Sequence, residues 1–592
     1  MVDLSSRDGL EIFRPFGSRS KPPRADAIVG SVATVIEVIR RLLPAGTIPG
    51  PRADWRRPPF WPPDLFAVTA TLAHLSGCYS RPRYTSMWKR DCLFDERFLT
   101  DVRTAGRRWR ERGRLTRDVG RLWRELTAAG DEELLDPRAR WCDPAMKLLT
   151  IADEASSGMG FVNQEAETGL VFADYLVHLH RTGLLNRSRR WQGPRLPVSL
   201  GWMVPTSEVC VQPKARTPQV GCTLRSLSHH LCLLPPQGEI STSWLLAPHD
   251  RLGAARLNLL LVPFPYRVDG KCFVGTDEVH GEAINGQGAS HFFSLTPHWL
   301  RTAGRWLSAA EIADFLIGLI ETATRNVSEV HGLVLPECAL DEALARTVAR
   351  RLAAARGTLD IVICGTFGAR RSGAELVTNA VYTAILHRGR GIADWTQPKH
   401  HRWKLDAAQI RRYHIGDALD PRHDWWERIE LGQRRCTFYV FRDGASLTSL
   451  VCEDLARIDP VQLALRGVGP NLVVVLLLDG PQLERRWPGR YATVLADDPG
   501  SAVLTLTCVG MLRRSVMPGE PEPRQIALWK DATGPARELT LPPGAHALLL
   551  TLAQAGEASK CLDGRRNLDT TIGLSLSGVH SVRHPRPPAW ID

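Results

Sequence analysis

Apolar positions along the chain change their spacing about one third of the way in. Over Ala27 to Leu43, Leu65 to Leu75, Phe98 to Leu126, Ala145 to Ala155 and Glu167 to Arg181 they recur at helical intervals, which predicts a series of amphipathic helices. Pro44 to Pro63, with its prolines and two tryptophans, predicts a loop or linker, and residues 1 to about 25 a loosely ordered lead-in. Residues 1–190 therefore read as a mainly α-helical amino-terminal region. After Arg187 the helical spacing is lost. Residues 191–255, including Pro197 to Val211 and Leu231 to Leu246, are rich in Val, Leu, Thr, Ser and turn residues and read as a mixed connecting segment.

From Arg256 onward short continuous apolar runs alternate with helical patterns. Arg256 to Val268, His331 to Pro336, Leu359 to Cys364, Val377 to Leu386, Thr437 to Phe441, Leu447 to Val451, and runs at Leu472 and Val503 suit buried strands. Ser308 to Glu329 predicts a helix opened by a capping box, since Ser308 precedes Glu311 by three residues. Asp341 to Arg356, Leu455 to Arg466 and Gln482 to Asp497 predict further helices. Gly389 to Gln433 is polar and irregular. This alternation places an α/β domain over residues 256–556. Residues 557–592, with a short apolar run at Thr571 to Val579, read as a tail that packs on a neighbour or stays loose.

Composition narrows the class without choosing a function. The 592 residues are 44% hydrophobic and 23% charged, ordinary for a globular protein. The net charge of +12 comes almost wholly from arginine, because only nine of the 75 basic residues are lysine. A lysine inside a motif therefore stands out. The densest basic stretch, Arg103 to Arg124, predicts an amphipathic helix with Trp109 and Trp123. A macromolecular or nucleic-acid partner docking there is the lesser reading; arginines on solvated helix faces are the commoner explanation. The 13 cysteines form no C-x-x-C pair, no apolar run reaches membrane-spanning length, and the first residues lack a signal-peptide pattern, so the expectation is a reducing, cytoplasmic setting and no membrane partner. His178 with His180, and His229 and His230 near Cys232, have no structural-zinc spacing, and no glycine-rich phosphate loop follows a strand in the required pattern, so no metal and no organic cofactor is expected. Asp497 and Asp498 lead into Pro499-Gly500 and read as a turn; Gly365 to Gly373 reads as a basic loop.

Three reactive side chains fall at comparable places in the α/β region. Glu337 ends the strand HGLVLPE, Lys399 lies in DWTQPKHHRW, and Cys452 ends a strand at SLVCEDLAR. Taken singly they have ordinary explanations: a solvated strand-end carboxylate, a surface lysine, a small buried hydrophobe. Together they form a coherent set. A carboxylate can take a thiol proton and later activate water, and an ammonium can stabilise thiolate or a tetrahedral oxyanion.

In order and wording these motifs resemble the carbon–nitrogen hydrolase, or nitrilase, superfamily, which is marked by a strand ending in Pro-Glu, a loop lysine, and a strand ending in C-x-D with an arginine soon after. The resemblance covers about half of the chain, from VLPE at Val334 to Glu337, through Lys399, to CEDLAR at Cys452 to Arg457. It implies an α-β-β-α sandwich following the helical region, hydrolysis of an amide or nitrile C–N bond through a cysteine thioester, and a homo-oligomer. It assigns Glu337 as general base, Lys399 as oxyanion stabiliser and Cys452 as nucleophile. The Glu453 N–H would help hold the oxyanion, and Asp454 and Arg457 would shape the nucleophile turn. The chain departs from the pattern at Gln397-Pro398-Lys399, where many members have tyrosine and arginine before the lysine. Lys404 is a rival to Lys399, and the second glutamate of many members has only Asp406 or Glu427 as counterparts. Two other readings stay open: a partner or effector in a reverse-transcriptase-associated antiphage defence system, and a binding module without catalysis.

Overall fold

The structure, a computed structural model, describes residues 33–44, 55–80, 96–136, 139–157, 195–196, 198–246, 256–280, 290–355, 359–368, 378–387, 391–432, 434–441 and 445–591. The helix expected at Glu167 to Arg181 and the His178–His180 pair lie outside these residues. Among the described residues no helix is long and apolar enough to cross a membrane.

The amino-terminal helices are Val35–Leu42, Pro62–Ser76, Glu96–Arg112, Arg117–Ala128 and Cys142–Ala155. They share one apolar core with the hairpin formed by Cys210–Pro213 and Leu231–Leu234. The stretch read as one helix from Phe98 to Leu126 is two, because Gly113 adopts a left-handed φ of 61° and Thr116 caps a new start. Trp109 and Trp123 are buried in the core, and the arginines between them face outward. Two helix carboxylates fix the loops that follow. Asp64 accepts the N–H groups of Trp202, Met203 and Val204 at 2.8, 2.8 and 3.0 Å. Asp153 accepts those of His229, His230 and Leu231 at 2.8, 2.9 and 3.0 Å. These contacts absorb His229 and His230 into the fold, and burial pushes the His229 ring down to about 3, so it is neutral.

The carboxy-terminal core lies between two sheets. One runs edge to edge through Gly391–Pro398, Asn379–His387, Ile361–Phe367, Gly332–Asp341, Arg256–Leu261, Ala547–Lys560 and Arg566–Val582. The other runs through Arg195–Leu196, Ser241–Leu246, Arg435–Phe441, Ala445–Val451, Leu472–Leu476, Ala502–Leu506, Gln525–Lys530 and Arg537–Thr540. Their faces meet where Trp395 stacks on Tyr439 with centroids 4.5 Å apart, and where Gln397 donates to the Ser449 carbonyl and accepts from the Thr437 N–H. Helix Ala309–Ala323, with the expected Ser308–Glu311 capping box, and helix Glu342–Ala355 flank the first sheet; Trp487–Asp497 flanks the second.

Several expected elements differ. The segment read as a tail is half of a long antiparallel hairpin: Ala547–Lys560 runs past the expected boundary at 556 and pairs with Arg566–Val582. Leu574 and Leu576 are buried while Ser575 and Ser577 are exposed, the two-residue alternation of a strand with one wet face. The connecting segment contributes Arg195–Leu196 and Ser241–Leu246 to the second sheet. Gly389 to Gln433 is not irregular throughout, because it supplies the edge strand Gly391–Pro398 and the helix Ala407–Arg412. No continuous helix spans Leu455 to Arg466. Asp459 is extended ahead of Pro460, which lacks an N–H, and regular helix begins only at Leu463.

Candidate active site

The strand Gly332–Asp341 pairs in parallel with Ile361–Phe367 until Leu335, and the register shifts before pairing resumes at Leu340. Glu337 sits in this bulge, and Cys338 beside it has a left-handed φ of 53°. The bulge needs Gly365 opposite. A Cβ there would lie 2.3 Å from the Pro336 carbonyl oxygen and 2.4 Å from the Glu337 Cα. Gly365→Ala is therefore expected to cost about 1–3 kcal/mol of stability and to displace Glu337, read as a lower melting temperature.

The structure brings Glu337, Lys399 and Glu427 together. Lys399 Nζ lies 2.9 Å from Glu337 Oε1 and 2.7 Å from Glu427 Oε2. Asn379 Nδ2 bridges the same carboxylates at 2.8 and 2.7 Å. The Leu478 N–H donates to Glu337 Oε2 at 2.7 Å, and the Trp403 N–H to Glu427 Oε2 at 3.0 Å. Glu337 and Lys399 are each 1% exposed, so these interactions act with little solvent screening. Of the two lysines, Lys399 is the buried one, whereas Lys404 is partly exposed and pairs with Asp424 at 2.6 Å. Of the two candidates for a second acid, Glu427 enters the cluster and Asp406 caps the helix Ala407–Arg412.

Cys452 follows the buried strand Ala445–Val451 and opens a single tight helical turn, Cys452–Leu455. Its φ of 43° is left-handed, a conformation costing about 1–3 kcal/mol for a non-glycine residue and held only where the surroundings over-determine it. The thiol is buried and feels the charges of Glu337, Lys399, Glu453 and Asp479. Asp454, fully buried, ties this turn to the lysine segment by accepting the N–H groups of His400 at 3.0 Å and His401 at 3.1 Å. Arg457 is exposed and holds Glu453 at 2.8 Å on the outer side of the turn. The helix start expected directly after the cysteine is replaced by this tight turn, so the row of helix N–H donors is shorter than the sequence suggests.

The charges are matched to proton transfer. Burial raises the Glu337 pKa above 4.5, and Glu427 raises it further against the pull of Lys399. Burial opposes the Lys399 ammonium, but Glu337 and Glu427 outweigh it and hold its pKa well above 10.5. Burial and then Glu337 push the Cys452 thiol well above 9.0, so the resting group is a thiol. Glu337 accepts a proton only when ionised, and Glu427→Gln is expected to lower its pKa, read by a ¹³C NMR titration of the carboxyl.

Asn379 and the Leu478 N–H are parts of the site that sequence reasoning missed. An asparagine at a strand start carries no distinguishing signal, and a backbone donor carries none at all.

Solved structures of the nitrilase, or carbon–nitrogen hydrolase, superfamily match about half of the chain. A member of branch 10 of the nitrilase superfamily from Saccharomyces cerevisiae matches at 11% identity and a TM-score of 0.27, covering 48% of this chain and 86% of its own. A carbon–nitrogen hydrolase superfamily protein from Xanthomonas campestris matches at 16% identity and 0.27, covering 43% and 87%. A carbon–nitrogen hydrolase from Helicobacter pylori matches at 12% identity and 0.28, covering 48% and 84%. No protein-family model and no curated protein sequence matches the chain.

Proposed function

We propose that the carboxy-terminal domain hydrolyses a non-peptide carbon–nitrogen bond, in an amide or a nitrile, through a thioester on Cys452. The observation that carries this reading is the buried Glu337–Lys399–Glu427 cluster, held by Asn379 and placed within electrostatic reach of a cysteine in a left-handed turn.

For an amide, the Cys452 Sγ attacks the carbonyl carbon as the thiol proton passes to Glu337. The oxyanion that forms is held by Lys399 Nζ and the Glu453 N–H. Collapse of the tetrahedral species breaks the C–N bond, and Glu337 returns the proton to the departing nitrogen. Glu337 then takes a proton from water, hydroxide adds to the thioester carbonyl, and collapse releases the acid while Cys452 recovers its proton. Glu427 and Asn379 touch no reacting atom in this scheme; both position the cluster, and Glu427 helps keep the Lys399 ammonium charged.

The test is ammonia release from a panel of small carboxamides and nitriles by the full chain, with Glu337→Gln as control. The expected loss in that variant is about 10²–10⁴-fold in the turnover number, the range for removing a general base. Turnover unchanged in Glu337→Gln would remove the base from the scheme.

A further inference from the structure

Leu478, whose N–H holds Glu337, is followed by Asp479, which is 5% exposed. One of its oxygens is fully engaged: Oδ1 accepts from the Tyr413 hydroxyl, from the Gly480 N–H at 2.7 Å and from Arg486 at 2.9 Å. The other, Oδ2, is buried and has no hydrogen-bond partner among the described residues. A buried carboxylate oxygen left unmet is costly to the fold, and it persists where a ligand supplies the missing donor. Asp479 is also next in the chain to Leu478, whose N–H contacts Glu337 Oε2 at 2.7 Å.

The sum of charge points the same way. With Glu337 in its base form, the cluster holds the carboxylates of Glu337, Glu427 and Asp479 against the cations of Lys399 and Arg486. A negative surplus in a buried site is offset by an incoming cation and made worse by an incoming anion.

We propose that Asp479 is a specificity-determining residue whose free oxygen receives an ammonium or similar cationic donor of the substrate, so that the site takes amides bearing an amine close to the scissile bond. This rests on the hydrolase reading for the word substrate, but the recognition itself is measurable without turnover.

The experiment uses isosteric pairs, glycinamide with propanamide and β-alaninamide with butanamide, titrated calorimetrically into the full-length Cys452→Ala protein, which cannot turn them over. At least one cationic amide is expected to bind about tenfold or more tightly than its neutral partner, and in Cys452→Ala/Asp479→Asn the two are expected to agree within about twofold. Equal binding within both pairs, preference for the neutral partners, no binding of either cationic amide, or a preference that survives Asp479→Asn overturns the proposal. The preference in Cys452→Ala needs no Asp479 variant, so poor folding of Cys452→Ala/Asp479→Asn leaves the first comparison intact. Selective binding with no ammonia release by the wild-type protein would leave Asp479 as the recognition group and remove the hydrolase reading.

Discussion

Cys452→Ala is expected to abolish ammonia release, by about 10⁴-fold or more, while leaving the fold in place. Among the described residues the thiol makes no hydrogen bond that organises the turn. Asp454, the strand Ala445–Val451 and its neighbour Leu472–Leu476 hold the backbone there without it. The same position offers a separate check on the backbone. A left-handed φ favours glycine, so Cys452→Gly is expected to be more stable than Cys452→Ala by about 1 kcal/mol or more, the reverse of their order in an ordinary helix or strand. Chemical denaturation of the two inactive variants reads this difference directly. Equal stabilities, or alanine the more stable, would mean that the turn is not strained as described.

Arg565→Met is expected to cost about 3–5 kcal/mol, the range for breaking a buried ion pair from one side. Arg565 is 1% exposed, in the turn of the long carboxy-terminal hairpin. It holds Asp563 at 2.7 Å, Asp153 at 3.0 Å and Glu154 at 3.2 Å, and donates to the Leu227 carbonyl at 2.8 Å. It thus joins the last sheet strands to a helix of the amino-terminal region. Methionine fills the volume but leaves Asp153 and Asp563 buried without their counter-ion. Burial raises the Asp153 carboxyl, yet Arg565 and the neighbouring histidines outweigh it and hold it at about 2. A carboxylate depressed in the folded state contributes stability above its unfolded value of 3.8 that is lost as pH falls toward 2. In Arg565→Met that depression is gone and protonation relieves the unpaired charges. The deficit against wild type is therefore expected to be widest near neutral pH and to shrink as pH is lowered. Thermal unfolding across that range measures it, and a pH-independent deficit would assign the loss to packing alone.

The parts of the site that were legible in the sequence are those carried by contiguous wording. VLPE and CEDLAR each contain a strand end and the reactive residue together, and a scarcity of lysines made Lys399 conspicuous. Glu427 could be narrowed only to a pair with Asp406, because the helix cap that claims Asp406 is a matter of local geometry. Asn379 and Asp479 were invisible as site residues, since what makes them members is the approach of strands far apart in sequence. The failures elsewhere have equally local causes. Pro460 stops the helix that Leu455 to Arg466 suggests, and Gly113 divides the one that Phe98 to Leu126 suggests. The carboxy-terminal hairpin was missed because Gly573 and Gly578 interrupt its apolar alternation, although Leu574 and Leu576 keep the inward phase.

Peptide-resolved mass spectrometry after incubation with a carboxamide or nitrile that is turned over, quenched in acid during steady state, tests the nucleophile directly. Acyl or thioimidate mass is predicted on the peptide containing Cys452, absent in Cys452→Ala and absent from the peptides of the other cysteines. Turnover that persists in Cys452→Ala, or adduct on another cysteine with Cys452 unmodified, would contradict the assignment.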